Sequence, residues 1–351
     1  MLLLWGASAR AATETVLYSF CIQQGCADGE YPYGDLLRVK DKLYATTTTG
    51  GGGNNGTVVS VDIATGAATV YAFDGNDRSS PYAGLINANG TLYGTTVNGG
   101  TGICNNYPAC GVLYSLDPAT GVETVLHSFC SQSSCADGGA PRASLIAVNG
   151  KLYGTTTEGG TGSGFCNDEV SGCGTVFDFD PATGTYNVLY SFSEAGGNLP
   201  AGDLAAVNGI LYGTTEYGGA GDCNDGYNDG CGTIFSLDPA TGTETLVYSF
   251  RNNGRDGANP LAGLVKLKGK LYGTTANGGA YHGGTVFSIA LASGKEKVVY
   301  AFCALQRCDD GAAPSAGLIA VNGTLYGTTE AGGTGDPNYA IGGGTVFAIT
   351  P

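Results

Sequence analysis

The stretch GDCNDGYNDGCG, residues 221–232, gathers Asp222, Asp225 and Asp229 around two cysteines. Loops this rich in side-chain oxygen suit calcium, which takes carboxylate and carbonyl ligands. The spacing does not follow an EF-hand loop. Together with Asp168 in a neighbouring repeat, the same carboxylates could act as acid and base in glycan cleavage, which needs two carboxyl groups at a defined separation. Nothing in the sequence sets that separation. Five tyrosines fall in loops of the same kind: Tyr107, Tyr217, Tyr227, Tyr281 and Tyr339. Each offers a flat apolar face with a polar tip, a surface on which a sugar ring stacks beside Asn and Asp.

Other chemistries are excluded by what the chain lacks. It has two histidines, too few for a multi-histidine metal centre. His127 occupies a slot held elsewhere by Tyr18, Tyr71, Tyr190, Tyr248 and Tyr300, and reads as a packing substitution; His282 stands alone in a loop. Twelve cysteines form six close pairs: Cys21/Cys26, Cys104/Cys110, Cys130/Cys135, Cys166/Cys173, Cys223/Cys231 and Cys303/Cys308. None has CxxC spacing, so local disulfides in an oxidising compartment are the simplest reading. That leaves no obvious thiolate nucleophile. Asp28, Asp137, Asp256 and Asp310 each precede a glycine and are expected to form turns.

These loops must hang from a scaffold, and the scaffold is written as a repeat. Leu-Tyr-Gly-Thr-Thr begins at Leu92, Leu152, Leu211, Leu271 and Leu325, with Leu-Tyr-Ala-Thr-Thr at Leu43. Each is followed by a phrase such as Gly174-Thr175-Val176-Phe177, and all but the last then by a strand ending in an aromatic residue, as in Tyr190-Ser191-Phe192. Successive first markers stand 49 (43 to 92) to 60 (92 to 152) residues apart, the size of a four-stranded propeller blade. In the third copy the spacing predicts strands over Ser144–Val148, Leu152–Thr156, Thr175–Asp180 and Tyr186–Phe192. An Asn149-Gly150 hairpin and a Pro181-Ala182-Thr183-Gly184 turn join them. The predicted fold is all-β: a six-bladed propeller of four-stranded antiparallel blades.

The first outer strand, residues 14–20, has no inner partners before it, and the last strand, residues 344–350, has no return strand after it. Pairing of the two is expected to close the ring and remove its edges. Short turns fall on one rim. The cysteines and the length variation fall on the other, which is where function is expected to sit.

The full phrase runs from Gly-Thr-Val-Phe-Ser through Asp-Pro-Ala-Thr-Gly, Leu-Tyr-Ser-Phe and Asp-Gly-Ala-x-Pro to Asn-Gly-x-Leu-Tyr-Gly-Thr-Thr. It resembles the Gloeo/Verruco (GloVer) extracellular tandem repeat over nearly the whole chain from Glu14. The resemblance implies an exported bacterial protein of undefined activity and supplies no catalytic residues. A fainter similarity to quinoprotein repeats lacks their strand-ending Trp, since the sole Trp is Trp5, so no quinone is expected.

Residues 1–12 read as a clipped signal peptide, with Leu2–Trp5 apolar and Ala9-Arg10-Ala11 a small-x-small cleavage site. Residues 13–351 are expected to form one propeller domain. A formal charge of -15 disfavours nucleic acid and anionic membranes as partners. No stretch is long enough to span a bilayer as a helix, and a monomer is expected. The leading expectation is a secreted, non-catalytic protein whose stapled face binds glycan or a surface protein. A carbohydrate-active enzyme and a structural or adhesive surface component are the alternatives.

Overall fold

The computed structural model of the chain describes residues 15–74, 79–104, 107–108, 110–162, 172–223, 230–334 and 342–351, with main chain alone for residues 103, 104, 107 and 108. The proposed signal peptide therefore lies outside the described residues.

Six antiparallel sheets follow one another along the chain as the blades of a propeller. The third is made of Ile146–Val148, Lys151–Thr156, Thr175–Asp180 and Thr185–Ser191, paired in sequence order. Blades two, four and five repeat this plan. In the first, Glu30–Pro32 adds a strand to the edge of Lys42–Thr49. The sixth has three strands: Ile319–Val321, Thr324–Thr329 and Thr345–Ile349. Residues from the lead-in to the first strand of all six blades line one central cavity.

The repeated motifs are steric instructions. Gly154 of Leu-Tyr-Gly-Thr-Thr stands opposite Phe177 of Gly-Thr-Val-Phe, and a Cβ on Gly154 would lie 2.6 Å from the Phe177 ring. Gly213 and Gly273 make the same room for Phe235 and Phe287. Each ring then meets the aromatic that ends the previous blade. Phe129 packs on Phe177, Phe192 on Phe235, Phe250 on Phe287 and Phe302 on Phe347, at centroid distances of 4.9–5.5 Å. Phe129, Phe192, Phe250 and Phe302 are buried. Burying such a ring stabilises by about 1.5–3 kcal/mol, so these wedges carry much of the blade-to-blade cohesion.

The paired threonines divide two tasks. The second of each pair holds its own blade together: Thr156 Oγ1 shares a hydrogen bond with Thr175 Oγ1 at 2.8 Å and accepts the Thr175 N–H. In blades one, four and five the first reaches the next blade, with Thr46, Thr214 and Thr274 donating to the carbonyls of Ala83, Ala262 and Ala316.

The expected ring-closing ladder is not seen. Thr345–Ile349 pairs with Thr324–Thr329, and no described residue of the segment 15–20 pairs with it. That segment nevertheless sits against blade one as an outer strand should. The Leu17 carbonyl lies 2.8 Å from where a Cβ on Gly66 would be, as the carbonyls of Leu189 and Val247 lie 3.1 and 3.0 Å from the same position on Gly242 and Gly294. Tyr18 and Phe20 pack edge-to-face like Tyr190 and Phe192. The segment keeps its contacts with blade one and leaves those with blade six unmade. Val346 is 82% exposed as a result, while its equivalent Val286 is buried.

Candidate functional site

The loops of the cysteine-bearing rim are held by a repeated hub. Asp28 accepts the N–H groups of Ile22 and Gln23 and the Tyr18 hydroxyl. Asp310 does the same for Ala304, Leu305 and Tyr300, and Asp256 for Arg251, Asn253 and Tyr248. Asp28, Asp137 and Asp256 are buried. Burial alone would raise the Asp28 and Asp310 carboxyls, yet the hydrogen bonds they accept hold both below the usual range. The aspartates expected to form turns thus do more: each ties its loop to the outer strand before it.

In blade two the hydroxyl is replaced by imidazole. His127 Nε2 lies 3.1 Å from Asp137 Oδ2, and the ring stacks on Tyr186 at 3.7 Å. Ser131 Oγ also donates to Asp137, at 2.7 Å. Serine and histidine therefore both address the carboxylate, which is no nucleophile–base relay. His127 packs as expected.

Disulfides join Cys21 to Cys26, Cys130 to Cys135, Cys223 to Cys231 and Cys303 to Cys308. Cys110 and Cys173 are also bridged, and no described cysteine is free. Three of the bridges close the same five-residue span beside the aspartate hub. Loops this short gain roughly 2 kcal/mol each in chain entropy.

Two concavities draw on the loop and lead-in segments. The first, of about 460 Å³, lies between blades four and five and is lined by Asp222, Cys223, Asn252, Asn259, Asn277, Gly278 and His282. The Cys223–Cys231 bridge anchors Asp222 at its side. Asn277 Nδ2 donates to Asn259 Oδ1 at 3.2 Å, and Asn259 Nδ2 donates to the Glu216 carbonyl at 3.3 Å. Asn252 Oδ1 is buried with no partner among the described residues. The backbones of Asn252, Asn259 and His282 take φ of 50°, 56° and 60°, a left-handed conformation that asparagine tolerates better than most residues. Tyr281, beside His282, is 53% exposed.

The second concavity is the central cavity, about 530 Å³. Its wall repeats one register around the ring: Tyr33, Tyr82, Arg142, Ala201, Leu261 and Ser315, and two residues on Asp35, Gly84, Ser144, Asp203, Gly263 and Gly317. A Cβ on Gly34 would fall 2.6 Å from the Ala83 backbone, and one on Gly84 3.0 Å from that of Asp35. The lead-ins of blades one and two consequently touch, and Tyr33 and Tyr82 meet at 5.3 Å. The Gly84 N–H donates to Ser144 Oγ at 3.2 Å, and the Ser144 N–H to Asp203 Oδ1 at 2.6 Å. Burial, with Asp35 as a like charge, pushes the Asp203 carboxyl up to about 6, against the Ser144 hydrogen bond.

Of the residues singled out from sequence, Asp222 lines the interblade cleft and Tyr281 stands next to it. Tyr217 is half-buried, with its main chain paired to Asn198. Tyr107 forms a two-residue strand, Tyr107–Pro108, and its side chain is not described. Asp168, Asp225, Asp229, Tyr227, Tyr339 and Cys166 lie outside the described residues. Calcium chemistry therefore rests on Asp222 alone among the described part of its loop. Sequence reasoning passed over Asn252, Asn259 and Asn277, and over Tyr33, Tyr82, Asp35 and Asp203. Asp35 and Asp203 stand at a repeat position where three other blades have Gly, a pattern that reads only once the ring aligns the six lead-ins.

Among the described residues no helix is long and apolar enough to cross a membrane. No curated protein matches the chain. Solved structures resemble it at low identity. The extracellular domain of a one component system from B. thetaiotaomicron gives a TM-score of 0.53 at 12% identity over 90% of this chain and 32% of that one. A nidogen/laminin complex gives 0.44 at 15% over 74% of each chain, and TolB from Acinetobacter baumannii 0.41 at 14% over 73% and 50%. The chain thus spans about a third of the first structure's length and half of the last. The Gloeobacter/Verrucomicrobia repeat model matches residues 5–166 and 168–347, and the chain belongs to that family.

Proposed function

We propose that this protein is a secreted, non-catalytic propeller whose stapled face binds glycan in the cleft between blades four and five. The observation that carries the reading is the lining of that cleft. Asp222, Asn252, Asn259, Asn277 and His282 converge there, a set of donors and acceptors matched to hydroxyl groups. Asn252 Oδ1 is buried without a partner among the described residues, a costly state that a turn of the side chain toward a ligand in the cleft would relieve. Exposed Tyr281 at the edge gives a sugar ring an apolar surface.

Cleavage is disfavoured because the described lining contains one carboxylate where hydrolysis calls on two. Export is supported by the bridged cysteines, which persist in oxidising compartments.

The test is retention of the oxidised protein on a panel of soluble and insoluble polysaccharides, with released oligosaccharide measured in parallel. Retention without release is the expected result. Release would put the enzyme reading first, and neither signal would favour a structural or adhesive role.

A further inference from the structure

The six lead-ins that ring the axis are not chemically equal. At the register of Asp35 and Asp203 the other blades carry Gly84, Ser144, Gly263 and Gly317. These two positions are three blades apart in a ring of six, so the aspartates come from opposite sides of the cavity. At the register of Tyr33 and Tyr82 the other blades carry Arg142, Ala201, Leu261 and Ser315. Packing explains Gly84 and Gly263, which make room for the backbones of Asp35 and Asp203. The Asp203 carboxylate accepts the Ser144 N–H, but no packing contact accounts for the Asp35 carboxylate across the cavity, nor for two tyrosines left 71% and 41% exposed.

The geometry points to a binding site for an organic cation, an alkylammonium or guanidinium group, at the mouth of the central cavity. The Tyr33–Tyr82 pair would face the cation, and Asp35 and Asp203 would neutralise it. An aromatic face attracts such a cation through its quadrupole.

Charge separates this site from the glycan cleft. Asp35, Asp203 and Glu330 line the cavity against Arg142 as its single lining cation. Arg142 also acts on Glu158, countering the burial that raises that carboxyl. Asp203 bears the repulsion of Asp35 in a half-buried place. A cation relieves that repulsion and a neutral sugar does not. The overall charge of -15 would draw such a ligand from a distance. Two sources share the chemistry: free amines, and the Lys or Arg side chain of a partner protein.

The test is isothermal titration calorimetry of the full chain with putrescine, with N-acetyl-arginine amide and with calcium chloride. Binding of either organic cation is expected to weaken as salt rises. It should fall at least fivefold in Tyr82→Ala and in Asp203→Asn, while Tyr82→Phe and Asn277→Ala keep it. Putrescine alone would mark a free amine as the source, and the arginine derivative a partner side chain. No binding by either probe overturns the proposal, as does binding that both Tyr82→Ala and Asp203→Asn leave intact. Calcium binding lost in Asp203→Asn without organic-cation binding also overturns it, in favour of a metal site. Asn277→Ala lies in the other cleft, so failure here leaves the glycan reading standing. Circular dichroism melts of each variant show whether a lost signal is merely a lost fold.

Discussion

Ala45 stands directly opposite Val59 in the first blade, where the third blade sets Gly154 opposite Phe177. The one repeat that adds a methyl on the inner strand has removed a ring from the strand beside it. The pair is a single steric unit, and the blade tolerates either solution because summed volume is conserved.

That complementarity predicts a coupled pair of substitutions. Gly154→Ala alone should destabilise by about 1–3 kcal/mol, because its Cβ would press on the Phe177 ring. Phe177→Val alone should cost about 2–4 kcal/mol for the cavity left in the wedge. Urea melts of the double variant should show less loss than the sum of the two. Strict additivity would mean the two positions do not compete for space.

The open seam can be tested by placing charge at matched positions. Val346→Asp should change stability by less than about 0.5 kcal/mol, since the side chain is 82% exposed. Val286→Asp at the buried equivalent should cost about 3 kcal/mol or more. Equal costs would show that Val346 is covered in solution and that residues 15–20 reach the last strand.

Asp203 gives a pH signature. Its acid form is favoured in the fold, with a value of about 6 against about 3.9 for a free aspartate. Stability from the protonated group is full below pH 3.9 and is lost as pH rises through 6. Asp35, Arg142, Glu330 and the Ser144 N–H surround the site. Asp203→Asn should therefore raise the melting temperature at pH 7.5 and leave it unchanged near pH 4. A lower melting temperature at pH 7.5 would show the charge to be stabilising.

The loop hubs have the opposite sign. Asp137 is held below the usual carboxylate range: burial would raise it, but hydrogen bonds from His127, Ser131 and Gln132 prevail. Its contribution is present above the unfolded value and is lost as pH falls through the lower folded one. Asp137→Ala should cost about 3 kcal/mol at pH 7 by removing an ionised acceptor from several donors, and much less near pH 2. A pH-independent cost would mean that lost packing, not the ionised form, is what the substitution removes.

The strands and their order were legible because the repeat states each instruction six times. For the third blade the expected strands match the observed ones to within two residues, and the Asn149-Gly150 hairpin joins the first two. The wedge of Phe192 on Phe235 was not legible, since it joins residues of two blades whose contact depends on ring geometry. Four of the expected bridges, Cys21–Cys26, Cys130–Cys135, Cys223–Cys231 and Cys303–Cys308, join the nearest neighbours in sequence as the spacing suggested. The cleft was half legible: Asp222 and Tyr281 stood out as loop residues. Asn252, Asn259 and Asn277 are distant in sequence and stand out only through the cavity they share, Asn252 and Asn259 also through left-handed backbones. Tyr33 and Asp35 were hidden differently. They sit in a lead-in segment that reads as plain connection, and their meaning appears only when the ring brings six lead-ins together.

The most direct test of the central claim is affinity electrophoresis of the oxidised protein in a gel containing whichever polysaccharide retains it, beside Asn277→Ala and Asp222→Ala of equal stability. The account predicts retardation of the native protein and at least a fivefold loss of affinity in both variants. Undiminished retardation of both would contradict it and move the glycan site out of the cleft.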